Sequence, residues 1–306
     1  MNPAFSVIFF TTFSGAGYGL WLWLGILAAA DSTPARVPAL IALLTGFVCV
    51  SAGLLASTLH LGQPQRAWRA LSQWRSSWLS REGIAALACF VPMLWLAGQW
   101  WLGHAARMAG LLLALLSLLT LVCTAMIYAS LKPIPAWRHP LVLPVYLLLA
   151  LFTGGLLLVA ILALGGVAAS NSTGLAIVLF AVTLWRLKRH TWRSIDRGRM
   201  PVSRASALGL AEDRRIKVFE RPHTEANYLI TEMGFVLARK HAGKLRGIAL
   251  LLLAGIPVLC ALPIWFFVRL DAAPWLVVAA LSALAGTLVE RWLFFAEARH
   301  VVMVYY

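Results

Sequence analysis

Apolar runs of about 20 residues, separated by polar or Pro- and Gly-containing segments, dominate this chain. A helix of about 20 residues matches the hydrocarbon thickness of a bilayer. Runs such as 111–119 do not alternate in polarity, which excludes the strands of a membrane barrel. The pattern predicts an all-α, polytopic integral membrane helix bundle of about eight transmembrane helices, forming one domain over 1–306. The expected spans are 5–30, 38–60, 83–103, 108–131, 141–165, 167–186, 247–269 and 273–296.

Composition supports the membrane interpretation. Hydrophobic residues make up 61% of the 306 residues, charged residues only 12%, and the mean hydropathy is +0.82. A soluble domain has about 25% charged residues, so a water-soluble globule is excluded. The first apolar run, 5–30, lacks a preceding basic segment and a small-residue cleavage site. It is therefore predicted to be a retained span and not a signal peptide.

The net charge of +15 is unevenly distributed along the predicted spans. With eight spans, 22 of the 26 Lys and Arg residues fall on one side, including a long basic loop at about 187–246. Only Arg36, Arg107 and Arg269 fall on the other side. Because cytoplasmic loops are enriched in Lys and Arg, the basic loops and both termini are predicted to be cytoplasmic. The long loop could bind lipid headgroups or an acidic protein partner, whereas nucleic acid is not predicted because no base-reading motif is present.

Two amphipathic segments are predicted outside the spans. Pro64 is suited to the first turn of a helix, and the apolar residues after it recur at helical spacing, which predicts a short interfacial helix. A second helix is predicted after Thr224 and Glu225. The apolar positions are Ala67, Trp68, Leu71, Trp74 and Trp78 in the first segment and Leu229, Ile230, Met233, Val236 and Leu237 in the second.

The histidines and cysteines argue against a metal or haem centre in this chain. Cys49, Cys89, Cys123 and Cys260 lie in apolar runs at unrelated spacings. The seven histidines all fall at span ends or in loops, so a pair of axial haem ligands inside the bundle is not predicted. We expect neither haem nor a bound metal.

His60 and Glu82 are the first candidate site residues. His60 ends the second predicted span and Glu82 opens the third, so the connecting loop places both on one membrane face. An imidazole and a carboxylate at this depth could exchange protons with the head group of a lipid-soluble substrate. The alternative is structural: His60 would cap a helix, and Glu82 would pair with Arg81 or Arg75.

Glu290 and Arg291 are the most deeply placed charged pair in the predicted spans. Adjacent helical residues point about 100° apart, so the two are not expected simply to pair with each other. Each is expected to have a partner on another helix or to face a polar cavity. A functional site and a buried structural ion network are both compatible with this pattern.

Several segments resemble the membrane-anchor subunit of the dimethyl sulfoxide reductase family. The resemblance extends over essentially the whole chain, and the 224–228 and 290–295 segments look like the branch that includes sulfite dehydrogenase anchors. The most specific block runs from His60 to Glu82. Its matching segments are His60-Leu61-Gly62-Gln63-Pro64, then Arg66, Trp68 and Arg69, and finally Ser76-Ser77-Trp78-Leu79-Ser80-Arg81-Glu82.

The resemblance implies a quinone-reactive anchor in a bacterial inner membrane, with menaquinone or ubiquinone as an exchangeable substrate. Its partners would be a four-cluster iron–sulfur subunit and a molybdopterin catalytic subunit, and His60 and Glu82 match the family's quinol-site residues. The chain itself has neither metal-ligand clusters nor a nucleotide-binding motif, so electrons must come from or go to a partner. The further candidates for binding quinone or shaping its site are Arg66, Arg69, Arg75, Arg81, Glu290 and Arg291.

Two other functions are compatible with the hydrophobic pattern. A secondary transporter would also be helical and could use Glu290 and Arg291, but it should show internal repeats, and no half-to-half similarity is found. A purely structural anchor would need the same basic face and no proton-active site.

Overall fold

The structure, a computed structural model, describes residues 4–32, 34–59, 61–198, 200–211, 214, 216–217, 219–220, 237–267 and 271–304. These residues contain helices and no strand. The α-helices are α1 Phe5–Ala29, α2 Arg36–Thr58, α3 Trp78–Ala88, α4 Phe90–Leu102, α5 Arg107–Ala129, α6 Val142–Leu164, α7 Asn171–Arg197, α8 Arg204–Ala207, α9 Leu237–Leu250, α10 Ile256–Phe266 and α11 Ala273–Ala296. Short 3-10 helices span Pro64–Gln73 and Val301–Val304, and a π turn, Leu251–Gly255, joins α9 to α10.

Within the described residues, seven helical segments are long and apolar enough to cross a membrane. Helix α7 is not among them, since six charged residues lie in its last 12 positions. It nevertheless packs against α10, the π turn and α6. Asn171 at its start donates a hydrogen bond to the Trp265 carbonyl, and Asp196 near its end binds Arg246 of α9. The all-α polytopic bundle is thus confirmed, with seven candidate spans among the described residues; that α7 is an eighth crossing stays a prediction.

Three predicted span boundaries are wrong. The third span begins at Trp78 and is interrupted at Cys89, where α3 meets α4. The sixth helix continues to Arg197 instead of ending at 186, and the helix of the seventh span begins at Leu237. The basic loop predicted at 187–246 is correspondingly shorter, because α7 continues to Arg197 and α9 begins at Leu237. Asp196 of α7 and Arg246 of α9 form an ion pair between the two helices. The helix predicted after Thr224 lies, except for Leu237, outside the described residues.

Helix α1 is the centre of the bundle and packs against α2, α5 and α6. In its most apolar stretch 72% of the residues are buried, against 33% for α2. The α1–α6 contact is made backbone to backbone: a Cβ at Gly19 would meet the Ala150 carbonyl, and one at Gly154 would meet the Leu20 amide. Small residues permit this close approach, which gains van der Waals contact where no hydrophobic effect drives helix association in lipid.

The outer surface of the bundle is apolar. Large aliphatic side chains on α2, α4 and α5 are more than half exposed. Such a surface would be unfavourable in water but matches the hydrocarbon of a bilayer. Examples are Leu44, Val48, Leu55, Val91, Leu94 and Leu115.

We predict that Gly19→Ala destabilises the bundle by about 1–3 kcal/mol, because the added methyl group must push α6 away. Gly98→Ala is the matched control, since a Cβ there has no neighbour within 4 Å. Thermal unfolding in detergent would measure both variants. Equal melting temperatures for the two would contradict the close α1–α6 contact.

Candidate functional site

One end of the bundle carries most of the basic loops. The amide of Val301 donates to the Pro133 carbonyl, and Arg204 Nε donates to the Val304 carbonyl, so three separate segments meet there. We call this end the basic face; its described segments are 61–77, 130–141, 200–211 and 297–304. At the opposite end Arg107 of α5 pairs with Asp31, at 2.6 Å between Nη2 and Oδ2.

Glu82 is buried in the second turn of α3, close to the basic face, with only 5% of its surface exposed. The Thr124 hydroxyl of α5 donates a 2.7 Å hydrogen bond to its Oε1. No cation among the described residues forms an ion pair with it, so the expected alternative pairing with Arg81 or Arg75 is wrong for this part of the chain. Glu82 is thus a membrane-embedded carboxyl with a neutral hydrogen-bond partner.

Arg81 holds the α2–α3 connection in place. Its Nε donates to the Trp74 carbonyl at 2.9 Å, and its Nη2 donates to the Arg75 carbonyl at 2.6 Å. The Ser80 hydroxyl donates to the Ala70 carbonyl in the same connection. These bonds fold the connection back over the start of α3, where Glu82 lies.

The short helix predicted after Pro64 is confirmed as the 3-10 helix Pro64–Gln73, and its interfacial position stays a prediction. Arg66, Arg69 and Arg75 of this connection are exposed. Several of its guanidinium groups lie over neighbouring indole rings, an arrangement that is favourable where a membrane interface is partly wet. The pairs are Arg69 with Trp68 at 5.6 Å, Arg75 with Trp74 at 5.4 Å and Arg81 with Trp78 at 4.5 Å from the ring centroid.

His60 lies outside the described residues, so its predicted proximity to Glu82 stays a prediction. The residue that precedes it, Leu59, lines an open groove of about 580 Å³ between α1 and α2. The groove is lined mainly by apolar side chains, among them Phe5, Phe9 and Leu55. It is wide enough for a small apolar ligand.

Glu290 and Arg291 belong to a buried ionic triad with Lys188 of α7. Arg291 Nε donates to Glu290 Oε2 at 2.6 Å, and the Lys188 ammonium binds Glu290 Oε1. The expectation that the adjacent pair would not bind each other is therefore wrong, because the long Arg291 side chain reaches back to its neighbour. The expectation of a partner on another helix is confirmed. The Arg291 guanidinium also lies 3.9 Å from the centroid of the Tyr146 ring.

A second ionic cluster lies about two helical turns closer to the basic face. Arg246 of α9 donates to both oxygens of Asp196 at 2.6 and 2.9 Å and to both oxygens of Glu297 at 2.9 and 3.2 Å. Burial raises the pKa of Glu297, and the Arg246 hydrogen bonds partly oppose that rise. The cluster ties the ends of α7 and α11 to the start of the seventh span.

Three cavities adjoin these ionic groups. The inner cavity, of about 20 Å³, is lined by Thr124, Tyr146 and Arg291 together with hydroxyl-bearing residues of α1. The outer cavity, of about 30 Å³, is also lined by Tyr146 and Arg291, and in addition by Lys188 and Glu297. Glu297 then lines the surface cleft, of about 420 Å³, on the basic face.

Residues that could hold a metal are not grouped within the described part of the chain. No set of three His, Cys, Asp or Glu side chains comes together there. His139 lies in the surface cleft, with its Nε2 3.1 Å from the Ser194 hydroxyl, and burial lowers its pKa. The expectation that the chain binds neither haem nor metal stays a prediction.

Thr124, Tyr146 and Lys188 are not among the site residues that the sequence pattern predicts. Thr124 and Tyr146 are ordinary residues of apolar spans, with no local signal. Lys188 falls in the predicted basic loop, although its spacing of eight residues from Asp196 places both on one helical face. That spacing is the one signal in the sequence that could have found it.

We predict that Glu290→Gln lowers the free energy of unfolding by about 3–5 kcal/mol, because it leaves two buried cations without a counter-ion. Lys188→Met is the comparison: it leaves Glu290 and Arg291 as a neutral pair and should cost much less. Thermal unfolding in detergent would rank the two variants. A loss for Lys188→Met as large as that for Glu290→Gln would contradict this charge balance.

Comparison with known proteins agrees with this architecture. Residues 1–296 match the family described as DMSO reductase anchor subunit (DmsC). The chain is also similar to a sulfite dehydrogenase subunit of Allochromatium vinosum, with 33% identity over 100% of this chain and 99% of the relative. The chain belongs to the DMSO reductase anchor subunit family and is a multi-pass membrane anchor subunit of a molybdoenzyme.

Proposed function

We propose that this anchor is quinone-reactive and exchanges electrons between the membrane quinone pool and an iron–sulfur partner subunit. The observation that carries the proposal is Glu82, a buried carboxyl in a membrane-spanning helix whose described hydrogen-bond partner is the neutral Thr124 hydroxyl. Quinone reduction consumes two protons with two electrons, so its site needs a titratable group at membrane depth. An intramembrane ionisable residue without a counter-ion is by default a candidate functional residue.

The groove between α1 and α2 is the proposed route by which the quinone enters. Its apolar lining and its volume of about 580 Å³ suit an isoprenoid quinone, whether menaquinone or ubiquinone, as an exchangeable substrate. His60 follows Leu59 of this groove directly in the chain. In the proposal, His60 delivers a proton to the quinone head and Glu82 orients that imidazole or relays the proton. No haem or metal of this chain takes part.

The partner subunits are proposed to dock on the basic face. A four-cluster iron–sulfur subunit would bring its terminal cluster near the quinone head and pass electrons to or from a molybdopterin catalytic subunit. The exposed Arg66, Arg69 and Arg75 lie on this face and have no carboxylate partner within the described chain. They offer an acidic partner a complementary surface.

The relative's name supports sulfite as the substrate of the complex. Sulfite, water and quinone would then give sulfate and quinol, with two electrons passing from sulfur to quinone. The excess of Lys and Arg on the basic face supports a cytoplasmic location for that face and for both termini, in a bacterial inner membrane. The chain would bind membrane lipid around its apolar surface and no nucleic acid.

Glu82→Gln in the assembled complex should slow sulfite-dependent quinone reduction about 100-fold or more, because the amide cannot donate a proton as the acid does. It should leave sulfite oxidation with ferricyanide unchanged, since a soluble acceptor bypasses the quinone site. His60→Ala should likewise slow quinone reduction and leave ferricyanide-linked sulfite oxidation unchanged. Stopped-flow or steady-state assays with both acceptors measure these effects.

The matched control for this test is Glu220→Gln, because Glu220 is an exposed carboxylate. It should retain both activities. If Glu82→Gln and His60→Ala also retain quinone reduction and bind quinone-analogue inhibitors normally, the chain is a structural anchor and the proposal is wrong.

Charge reversal of Arg66, Arg69 and Arg75 to Glu should reduce co-purification of the catalytic subunits with a tagged anchor. The loss should grow with ionic strength, since salt screens the remaining attraction. Arg36→Glu, at the opposite end of the bundle, is the control and should assemble normally. Equal recovery of partners with both variants would place the dock elsewhere.

A further inference from the structure

Three residues that line the inner cavity each have a buried polar atom without a well-aligned hydrogen bond within the described chain, although the Tyr146 hydroxyl and the Arg291 guanidinium interact with each other. These atoms are Thr12 Oγ1, Tyr146 Oη and Arg291 Nη2. An unsatisfied buried polar group costs about 1–3 kcal/mol, so three around one cavity are expected to share a ligand. The volume of about 20 Å³ admits one water molecule and nothing larger.

Thr124 connects this cavity to Glu82. Thr124 lines the cavity, and its hydroxyl lies 2.7 Å from Glu82 Oε1 and 3.0 Å from the Thr120 carbonyl oxygen. The hydroxyl proton can point to either acceptor, and the oxygen can accept a hydrogen bond from a water in the cavity. A proton can therefore enter the Thr124 hydroxyl from the water as another leaves it for Glu82.

The inner cavity, the outer cavity and the surface cleft follow one another toward the basic face, and neighbouring ones share lining residues. Tyr146 lines both the inner and the outer cavity, and Glu297 lines both the outer cavity and the surface cleft. The raised pKa of Glu297, outside the spans, suits a group that takes up and releases protons. Lys188 and Arg291 of the ionic triad line the outer cavity, and Arg291 also lines the inner one.

On the side away from the basic face, the core next to this cavity is closely packed. Beyond Gly15 and Thr153, which line it, α1 and α6 meet backbone to backbone at Gly19 and Gly154. Leu20, Leu24 and Trp21 fill the core on that side and are fully buried. The two described cavities that share lining residues in sequence, first with the inner cavity and then with each other, lie toward the basic face.

We infer that a water in the inner cavity links Glu82, through Thr124, to Tyr146, Glu297 and the surface cleft, forming a buried proton path from the basic face to the quinone site. This inference rests on the proposed quinone reaction and identifies the side of the membrane from which the protons for that reaction come. For each quinone reduced, two protons enter from the basic face, the side on which sulfite oxidation releases two. Turnover then moves no net charge across the membrane.

Thr124→Val and Tyr146→Phe test the path, because each removes one hydroxyl at nearly constant volume. In the assembled complex both should slow sulfite-dependent quinone reduction at least about tenfold, with an unchanged KM for quinone and unchanged ferricyanide-linked activity. Thr153→Val is the matched control: Thr153 lines the same cavity, but its hydroxyl donates to the Leu149 carbonyl of its own helix. It should behave as the wild type.

Proteoliposomes test the direction of proton uptake. Sulfite added outside reaches only complexes whose basic face points outward, and a pH indicator trapped inside should then report no change during turnover. Alkalinisation of the lumen, or a membrane potential, would overturn the inference.

The outcomes separate this inference from the proposed function. If Glu82→Gln blocks quinone reduction but Thr124→Val and Tyr146→Phe match Thr153→Val, the path is wrong and the quinone site stands. If Glu82→Gln has no effect, the quinone site itself fails. Co-purification of the catalytic subunits shows whether each variant has assembled.

Discussion

A charge inside the hydrocarbon layer must be paired within the protein, and this constraint organises the second half of the bundle. Lys188, Glu290 and Arg291 join α7 to α11 deep in the structure, and Arg246 joins α7, α9 and α11 nearer the basic face. Helix α7 could not cross a bilayer on its apolar content alone. Two of the six charged residues in its polar half, Lys188 and Asp196, pair with Glu290 of α11 and Arg246 of α9, which holds α7 against the bundle.

The two buried glutamates, Glu290 and Glu82, differ in role because their hydrogen-bond partners differ. Lys188 and Arg291 each bind one carboxylate oxygen of Glu290, which fixes the position of the carboxylate and compensates its negative charge. Glu82 has a hydroxyl partner that can turn between two acceptors. The first arrangement stabilises a helix interface, whereas the second leaves a carboxyl able to exchange a proton. The proposed quinone site depends on that difference.

Polar groups are concentrated in the basic-face half, and the other half is a close-packed apolar core. The Gly19–Gly154 contact marks the boundary between the halves. This asymmetry places the proposed partner dock, the quinone head and the proton source on one side. A complex built this way would take up protons and transfer electrons on the same side of the membrane, so turnover would move no net charge across it.

Hydrophobic patterning alone determined the all-α bundle and seven apolar segments long enough to cross a membrane, because membrane thickness sets span length directly. It also determined that Glu82 lies at a span end, and the amphipathic spacing after Pro64 predicted the short helix there. Only the tertiary structure decided that α7 extends to Arg197, that Lys188 is a buried partner and that Thr124 faces Glu82. These depend on contacts between residues 42 to 102 positions apart, and local periodicity carries no information about which distant side chain will neutralise or hydrogen-bond a buried charge.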